Sequence, residues 1–140
     1  MTIKSSSIIL IIFCTVFFSV RWKESSSIPD NLVGKWNVVQ FHSVPKKSFQ
    51  TQNNVGIQID PDGMTTGFIG CNRVRTNCTI DGDHIQFGTI LTTRKFCEEA
   101  YMDVEDRMKD ILTNTTRYYI NKNMLTFYTG KKKLVTLSKE

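Results

Sequence analysis

The stretch of sequence that decides the fold begins with Gly70-Cys71-Asn72 and ends with Thr93-Arg94-Lys95-Phe96-Cys97. Between the two cysteines the chain passes through short extended runs that alternate apolar and polar residues, a pattern typical of strands. Directly after Cys97 the apolar residues recur at helical spacing instead. The stretch therefore predicts a domain in which several strands precede one late helix.

The strand pattern extends to both sides of this stretch. Two turn sequences, Asp60-Pro61-Asp62-Gly63 and Asp81-Gly82-Asp83, separate strands in the way hairpin turns do. The polar run 73–77 is predicted to be a turn or a bulge. We predict strands over residues 34–41, 56–59, 64–71, 78–80, 84–90, 117–120, 124–128 and 133–137.

One helix is predicted over residues 98–112. Its apolar residues form a stripe at helical spacing, and they are Tyr101, Val104, Met108, Ile111 and Leu112. Its carboxylates, Glu105 among them, are expected mostly on the solvated face. The predicted fold class is α+β: a strongly curved, mostly antiparallel, barrel-like β-sheet of seven or eight strands with one main α-helix packed on it.

The N-terminus carries a targeting pattern. Residues 8–20 are almost wholly apolar and follow a lysine at position 4. Such a run is too short for a spanning helix, which takes about 20 residues. It predicts a secretory signal peptide over residues 1–24, with an uncleaved membrane anchor through residues 8–20 as the alternative. Residues 25–31 are predicted to be a linker and residues 32–140 one domain, located outside the cell or in its envelope.

The charge balance is mildly basic. The 140-residue chain has a formal net charge of +5, and without residues 1–24 it keeps 15 basic and 12 acidic residues. A nucleic-acid-binding domain is expected to carry a larger and clustered surplus of basic residues. We therefore predict no nucleic-acid partner, and we interpret Lys131-Lys132-Lys133 as the solvated tip of a hairpin.

Three cysteines follow the predicted signal: Cys71, Cys78 and Cys97. In an oxidising compartment an odd number leaves one thiol free or open to another chain, whereas in a reducing compartment all three would stay as buried thiols. Two acceptor sequences for N-glycosylation, Asn77-Cys78-Thr79 and Asn114-Thr115-Thr116, make Asn77 and Asn114 candidate modification sites in a eukaryotic host.

The sequence holds no recognisable catalytic or metal-binding set. His42 and His84 are its only histidines, and no Cys-x-x-Cys occurs. A catalytic thiol would need a histidine or cationic neighbour that lowers its pKa. We therefore predict no catalytic residue, no metal and no cofactor. Asn72 and Thr93 are expected to satisfy backbone groups where strands turn, with ligand binding as the alternative.

Three runs of the sequence resemble the META/HslJ domain family: Gly70-Cys71-Asn72-Arg73, Ile85-Gln86-Phe87-Gly88 and Thr93-Arg94-Lys95-Phe96-Cys97. The resemblance covers about residues 32–138. It departs from the family pattern at Lys95 and Phe96, where methionine and alanine are usual. The motif residues that carry over are Gly70, Cys71, Asn72, Thr93, Arg94 and Cys97.

The resemblance implies a small, often exported α+β domain with no established reaction. Because Cys71 and Cys97 carry the two family motifs, it also implies that they form a disulfide. A bridge from Cys71 to Cys78 is the main alternative. With the first pairing, Cys78 is the odd thiol and a candidate for an intermolecular bond in an otherwise monomeric protein.

The function that the resemblance implies is that of a non-enzymatic module, secreted or tethered to a membrane. Such a module is related to stress or virulence and acts by binding a protein or an envelope component. The alternative is a carrier of small hydrophobic ligands of the lipocalin or fatty-acid-binding type, because Gly34-Lys35-Trp36 resembles the start of those barrels. A carrier requires a ligand cavity, lined here by Trp36, Phe41, Phe68 and Phe87.

Overall fold

The structure is a computed structural model, and it describes residues 27–42 and 54–140. The predicted signal peptide or anchor over residues 1–24, including the apolar run 8–20, lies outside the described residues. So do residues 25 and 26 of the predicted linker.

The described residues form nine strands and one helix. In chain order they are β1 (Gly34–Phe41), β2 (Gly56–Ile59), β3 (Met64–Phe68), β4 (Arg73–Asp81), β5 (His84–Phe87), β6 (Leu91–Thr92), α1 (Glu99–Asn114), β7 (Arg117–Asn121), β8 (Met124–Thr129) and β9 (Lys132–Lys139).

Eight of these strands close into an antiparallel barrel. Their order is β3-β2-β1-β9-β8-β7-β5-β4, and β4 pairs back with β3 from Met64 opposite Asn77 to Phe68 opposite Arg73. The ninth strand, β6, adds to β4 beside Val74 and Arg75. The predicted fold class, a barrel-like antiparallel sheet with one helix, is confirmed.

The first and last strands of the domain lie side by side. In the pairing of β1 with β9, Trp36 lies opposite Lys139, and the backbone N–H of Glu140 donates to the carbonyl of Lys35 at 3.0 Å. The barrel is therefore sealed by contacts between residues about a hundred positions apart in the chain. The junction of β5 and β7 is narrower, with His84 opposite Arg117 as its one ladder pair among the described residues.

The core fills the inside of the barrel and continues onto the helix. Trp36 and Phe127 are fully buried, and the rings of Phe87 and Phe127 meet edge to face with centroids 5.5 Å apart. The indole N–H of Trp36 donates to the carbonyl of Leu32 at 2.8 Å, so its polar group is satisfied inside the core. The helix contributes four buried apolar side chains: Val104, Met108, Ile111 and Leu112.

Strand β4 corrects the sequence-based prediction for residues 73–77. The prediction of a turn or bulge is wrong, because residues 73–77 form the first half of the nine-residue strand β4. Exposed and buried side chains alternate along the whole strand. Arg73, Arg75 and Asn77 point outward, while the small side chains between them point inward. The alternation is that of a half-buried strand, and it was hidden by the polarity of the outer face.

Two predicted strands are shorter than expected. Strand β3 ends at Phe68, three residues before Cys71, because the chain turns at Gly70, whose φ is +126°. Strand β5 ends at Phe87, so residues 88–90 of the predicted strand are not part of it, and the two-residue strand β6, which was not predicted, follows them.

The helix agrees with its prediction to within two residues at each end. It ends where the backbone N–H and the hydroxyl of Thr115 both donate to the carbonyl of Ile111, at 2.9 and 2.6 Å. Within the described residues, no helix is both long and apolar enough to cross a bilayer.

The filled core generates a test of packing. Replacing the fully buried Phe127 with alanine should lower the free energy of unfolding by about 3–5 kcal/mol, because the surrounding barrel cannot collapse onto the space. Tyr119→Ala on the neighbouring strand β7 is the matched control, since Tyr119 is 60 % exposed. Urea unfolding checks both variants, and equal losses would contradict the assignment of Phe127 to the core.

Candidate functional site

The side chain of Asn72 joins three separate segments of the chain. It is 2 % exposed and lies directly before β4. Its Oδ1 accepts hydrogen bonds from the hydroxyl of Thr93 at 2.7 Å and from the backbone N–H of Lys95 at 2.8 Å. Its Nδ2 donates to the carbonyl of Lys95 at 3.0 Å and to Oε2 of Glu105 at 2.8 Å. We call Asn72, Thr93, Glu105 and the backbone of Lys95 the Asn72 clamp.

The clamp uses the hydrogen-bonding capacity of the amide fully. A primary amide offers two donor hydrogens and two acceptor lone pairs, and each has a partner here. The hydroxyl of Thr93 also accepts from the backbone N–H of Arg73 at 3.1 Å. Asn72 and Thr93 thus satisfy backbone groups where strands turn, as the sequence predicted, and the amide has no group left over for a ligand.

Glu105 corrects the expectation that the helix carboxylates lie on the solvated face. It is 2 % exposed. Its Oε1 lies 3.3 Å from Nζ of Lys109, and that ammonium group also contacts Asp106 at 2.7 Å. The hydrogen bonds that this ammonium donates to Asp106 and, to a lesser extent, to Glu105 raise the pKa of Lys109. The buried carboxylate is therefore compensated by an amide on one oxygen and a cation on the other, which burial of a charge requires.

Sequence reasoning missed the role of Glu105, although a signal was present. Glu105 follows Val104 and precedes Met108 by three positions, so it lies within the apolar stripe of the helix and not opposite it. A carboxylate in that place needs a buried partner. The partner, Asn72, stands 33 positions earlier in the chain, and helical periodicity carries no information about it.

A disulfide between Cys71 and Cys97 reinforces the clamp. Their Cα atoms are 6.0 Å apart, and the bridge spans 26 positions of sequence. It is the pairing that the family resemblance implied, and closing a loop of this length contributes about 3.5 kcal/mol in the chain-entropy account. The run from Thr93 to Cys97 is consequently held by the clamp at Thr93 and Lys95 and by a covalent bond at Cys97.

Gly70 lets the helix approach this assembly. A Cβ atom built on Gly70 would lie 2.7 Å from the carbonyl oxygen of Tyr101 and 2.9 Å from the backbone nitrogen of Glu105. Both atoms belong to the helix backbone and cannot move aside singly. Its φ of +126° also lies in a region that residues with side chains rarely adopt. The first motif residue is therefore required by close packing.

The third cysteine of residues 27–42 and 54–140 is Cys78, which faces the barrel interior and is 4 % exposed. Burial raises the pKa of its thiol above the usual range. A nucleophilic cysteine needs a lowered pKa and access to substrate, so the geometry of Cys78 does not favour catalysis. While the domain is folded, this thiol is also out of reach of another chain.

The histidines and glycosylation candidates lie apart from the clamp. Nε2 of His42 lies 2.7 Å from the hydroxyl of Thr136, and burial together with Lys133 lowers the pKa of this histidine. His84 is exposed beside Asp83. Asn77 and Asn114 are both exposed, on β4 and at the end of the helix, and their modification stays a prediction. Within residues 27–42 and 54–140, no three His, Cys, Asp or Glu side chains are grouped to hold a metal ion.

Of the four aromatic residues proposed to line a carrier cavity, three lie in or against the packed core and one is exposed. Trp36 and Phe87 are packed into the filled core. Phe41 is half-buried at its edge, and Phe68 is 37 % exposed on strand β3. This distribution is typical of a barrel whose interior is occupied by its own side chains.

The clamp generates a prediction about stability. Asn72→Ala should lower the free energy of unfolding by about 3 kcal/mol, because it leaves Glu105 buried without its amide partner. Asn77→Ala, an exposed asparagine on strand β4, is the matched control and should change little. In chemical unfolding, the double variant Asn72→Ala with Glu105→Ala should lose less free energy of unfolding than the two single variants lose together. Strict additivity would contradict the contact.

Gly70 gives a second prediction. Gly70→Ala should destabilise the domain by roughly 3 kcal/mol or more, because it combines an unfavourable φ with a collision against helix backbone. Gly82→Ala is the control, since Gly82 has a φ of +60° but open space around its Cα. Thermal unfolding should show a clearly larger drop in Tm for Gly70→Ala, and similar drops would mean that φ alone matters.

Comparison with known proteins places this arrangement in a family. The chain resembles a solved structure of a protein from Burkholderia xenovorans, with a TM-score of 0.62 and 17 % identity over 78 % of this chain and 83 % of that one. It also resembles a DUF4847 family protein from Bacteroides vulgatus, with a TM-score of 0.58 and 17 % identity over 78 % and 94 % of the two chains. No curated protein matches it. Residues 30–140 match the META domain, and the chain belongs to the META domain family.

Proposed function

We propose that this META domain is a non-enzymatic binding module, exported as a secreted or membrane-tethered protein. We further propose that it acts under stress or in virulence by contacting a protein or an envelope component. One observation carries the proposal. The clamp and the disulfide hold a short run of chain, Arg94, Lys95 and Phe96, whose aromatic side chain is 96 % exposed. We call these three residues the 94–96 tip.

The tip has the properties of a preorganised contact. A phenylalanine in water exposes about 200 Å² of apolar surface, which favours burial against a partner. Its backbone is fixed at Lys95 by two hydrogen bonds to Asn72 and at Cys97 by the disulfide. Less conformational entropy is then lost on binding than for a mobile loop.

The motif residues support binding over catalysis by the way they are used. The polar atoms of Asn72, Thr93 and Glu105 are directed at one another and at the backbone. A catalytic group must instead reach a substrate with a free donor, acceptor or nucleophile. We therefore infer that the motif residues hold the 94–96 tip in place at the surface and do not act on a substrate.

Genetic complementation in the native host tests this function. Phe96→Ser should fail to restore the phenotype lost on deletion, although its Tm stays unchanged because the side chain packs on nothing. Alanine at the exposed His84, Asp103 or Asp106 should restore it. A folded variant of one of these three that fails would indicate catalysis, and full activity of Phe96→Ser would exclude the tip as the contact.

A further inference from the structure

We propose that the 94–96 tip and the outer barrel surface beside it dock on the anionic phospholipid surface of a membrane. The inference deepens the binding function proposed above and rests on it. The surface consists of the tip together with Phe68, Arg73 and Leu91, and we call it the basic–apolar face.

The basic–apolar face is continuous because three strands bring it together. Phe68 of β3 lies opposite Arg73 of β4. On the other edge of β4, the backbone N–H of Thr93 donates to the carbonyl of Arg73 at 3.1 Å. Neighbouring strands lie about 4.8 Å apart, so Phe68, Arg73 and Thr93 stand in one row, and the tip follows directly after Thr93 in the chain.

Leu91 extends this row along β6. It lies opposite Arg75 and is 60 % exposed. Leu91 precedes Thr93 by two positions, so it lies on the same outer side of the sheet as that residue. Apolar and cationic side chains thus alternate over the face.

The charge of the face has the sign that anionic lipid requires. Among the described residues, Arg73, Arg94 and Lys95 form no salt bridge, so their charges are available to a partner. Glu98 and Glu99, at the start of the helix, are the nearest acidic residues in sequence. Basic residues close to an anionic bilayer contribute about a fivefold gain in affinity each.

The distribution of apolar groups favours a bilayer over a folded protein partner. Stable protein interfaces bury about 800 Å² on each side around an apolar, desolvated centre. Here the apolar groups are separated by cations, and one aromatic ring protrudes beside two of them. That arrangement fits a headgroup region, where cations meet phosphates while an aromatic side chain enters the acyl boundary.

Cosedimentation of the full chain with lipid vesicles tests the inference. The probes are vesicles of phosphatidylcholine alone and of phosphatidylcholine mixed with phosphatidylserine. All variants carry the same N-terminus, so its contribution cancels when each variant is compared with the parent protein. We expect tighter binding to the anionic vesicles, weakened by added salt.

Two variants and two matched controls locate the contact. Arg94→Gln with Lys95→Gln should weaken binding to the anionic vesicles by roughly 30-fold, and Phe96→Ser by about tenfold. Lys131→Gln with Lys132→Gln removes the same charge elsewhere, and Tyr119→Ser removes an exposed aromatic ring from β7. Both controls should bind as the parent does. Glu98→Gln with Glu99→Gln should bind more tightly.

The outcomes distinguish a failure of the lipid proposal from a failure of the proposed binding function. Equal binding to both vesicle types, or controls that lose as much affinity as the tip variants, would overturn the lipid assignment. If Phe96→Ser keeps its vesicle affinity but fails in complementation, the lipid assignment falls and a protein partner at the tip remains. If it loses vesicle affinity and still complements, the lipid contact stands and the proposed function of the tip falls.

Discussion

The bond between the amide of Asn72 and the carboxylate of Glu105 is the constraint on which the rest of the structure depends. It fixes the helix against the point where the chain turns from β3 into β4, and the same amide fixes the backbone before the helix. A buried carboxylate tolerates few positions, because each oxygen needs a partner. The hydrogen bond therefore fixes the position of the helix on the barrel, and Gly70, which has no side chain, allows the helix backbone to approach this closely.

The sequence was informative where the signal was local. Hairpin turns at Asp60 to Gly63 and at Asp81 to Asp83 follow from residues that favour turns. The helix follows from a stripe of apolar residues, and the pairing of Cys71 with Cys97 came from the family resemblance. The sequence does not reveal strand β4 between Arg73 and Asn77, because its outer face is so polar that the run has the composition of a turn. Glu105 was missed because its partner is distant in sequence.

The family motif is explained by packing and hydrogen bonding. Gly70 is needed for close approach, Asn72 and Thr93 for the clamp, and Cys71 and Cys97 for the covalent bond across it. Arg94 is the exception, because it is exposed and takes no part in the clamp. The residues that vary in character from the family pattern, Lys95 and Phe96, lie in the same exposed run. The buried side of this run is thus fixed by the clamp and the disulfide, and its exposed side is the surface that we propose contacts a partner.

The pairing of the first strand with the last has a mechanical consequence. Because β1 and β9 are antiparallel, the beginning of β1 and the end of β9 lie at the same end of the seam, with Trp36 opposite Lys139. A force that pulls the two ends apart loads the ladder hydrogen bonds of this seam one after another, as in a zipper, and not all together in shear. Under tension the barrel opens at the seam between β1 and β9 first, whereas the disulfide between Cys71 and Cys97 carries the load past the loop that holds Asn72, Thr93 and Lys95.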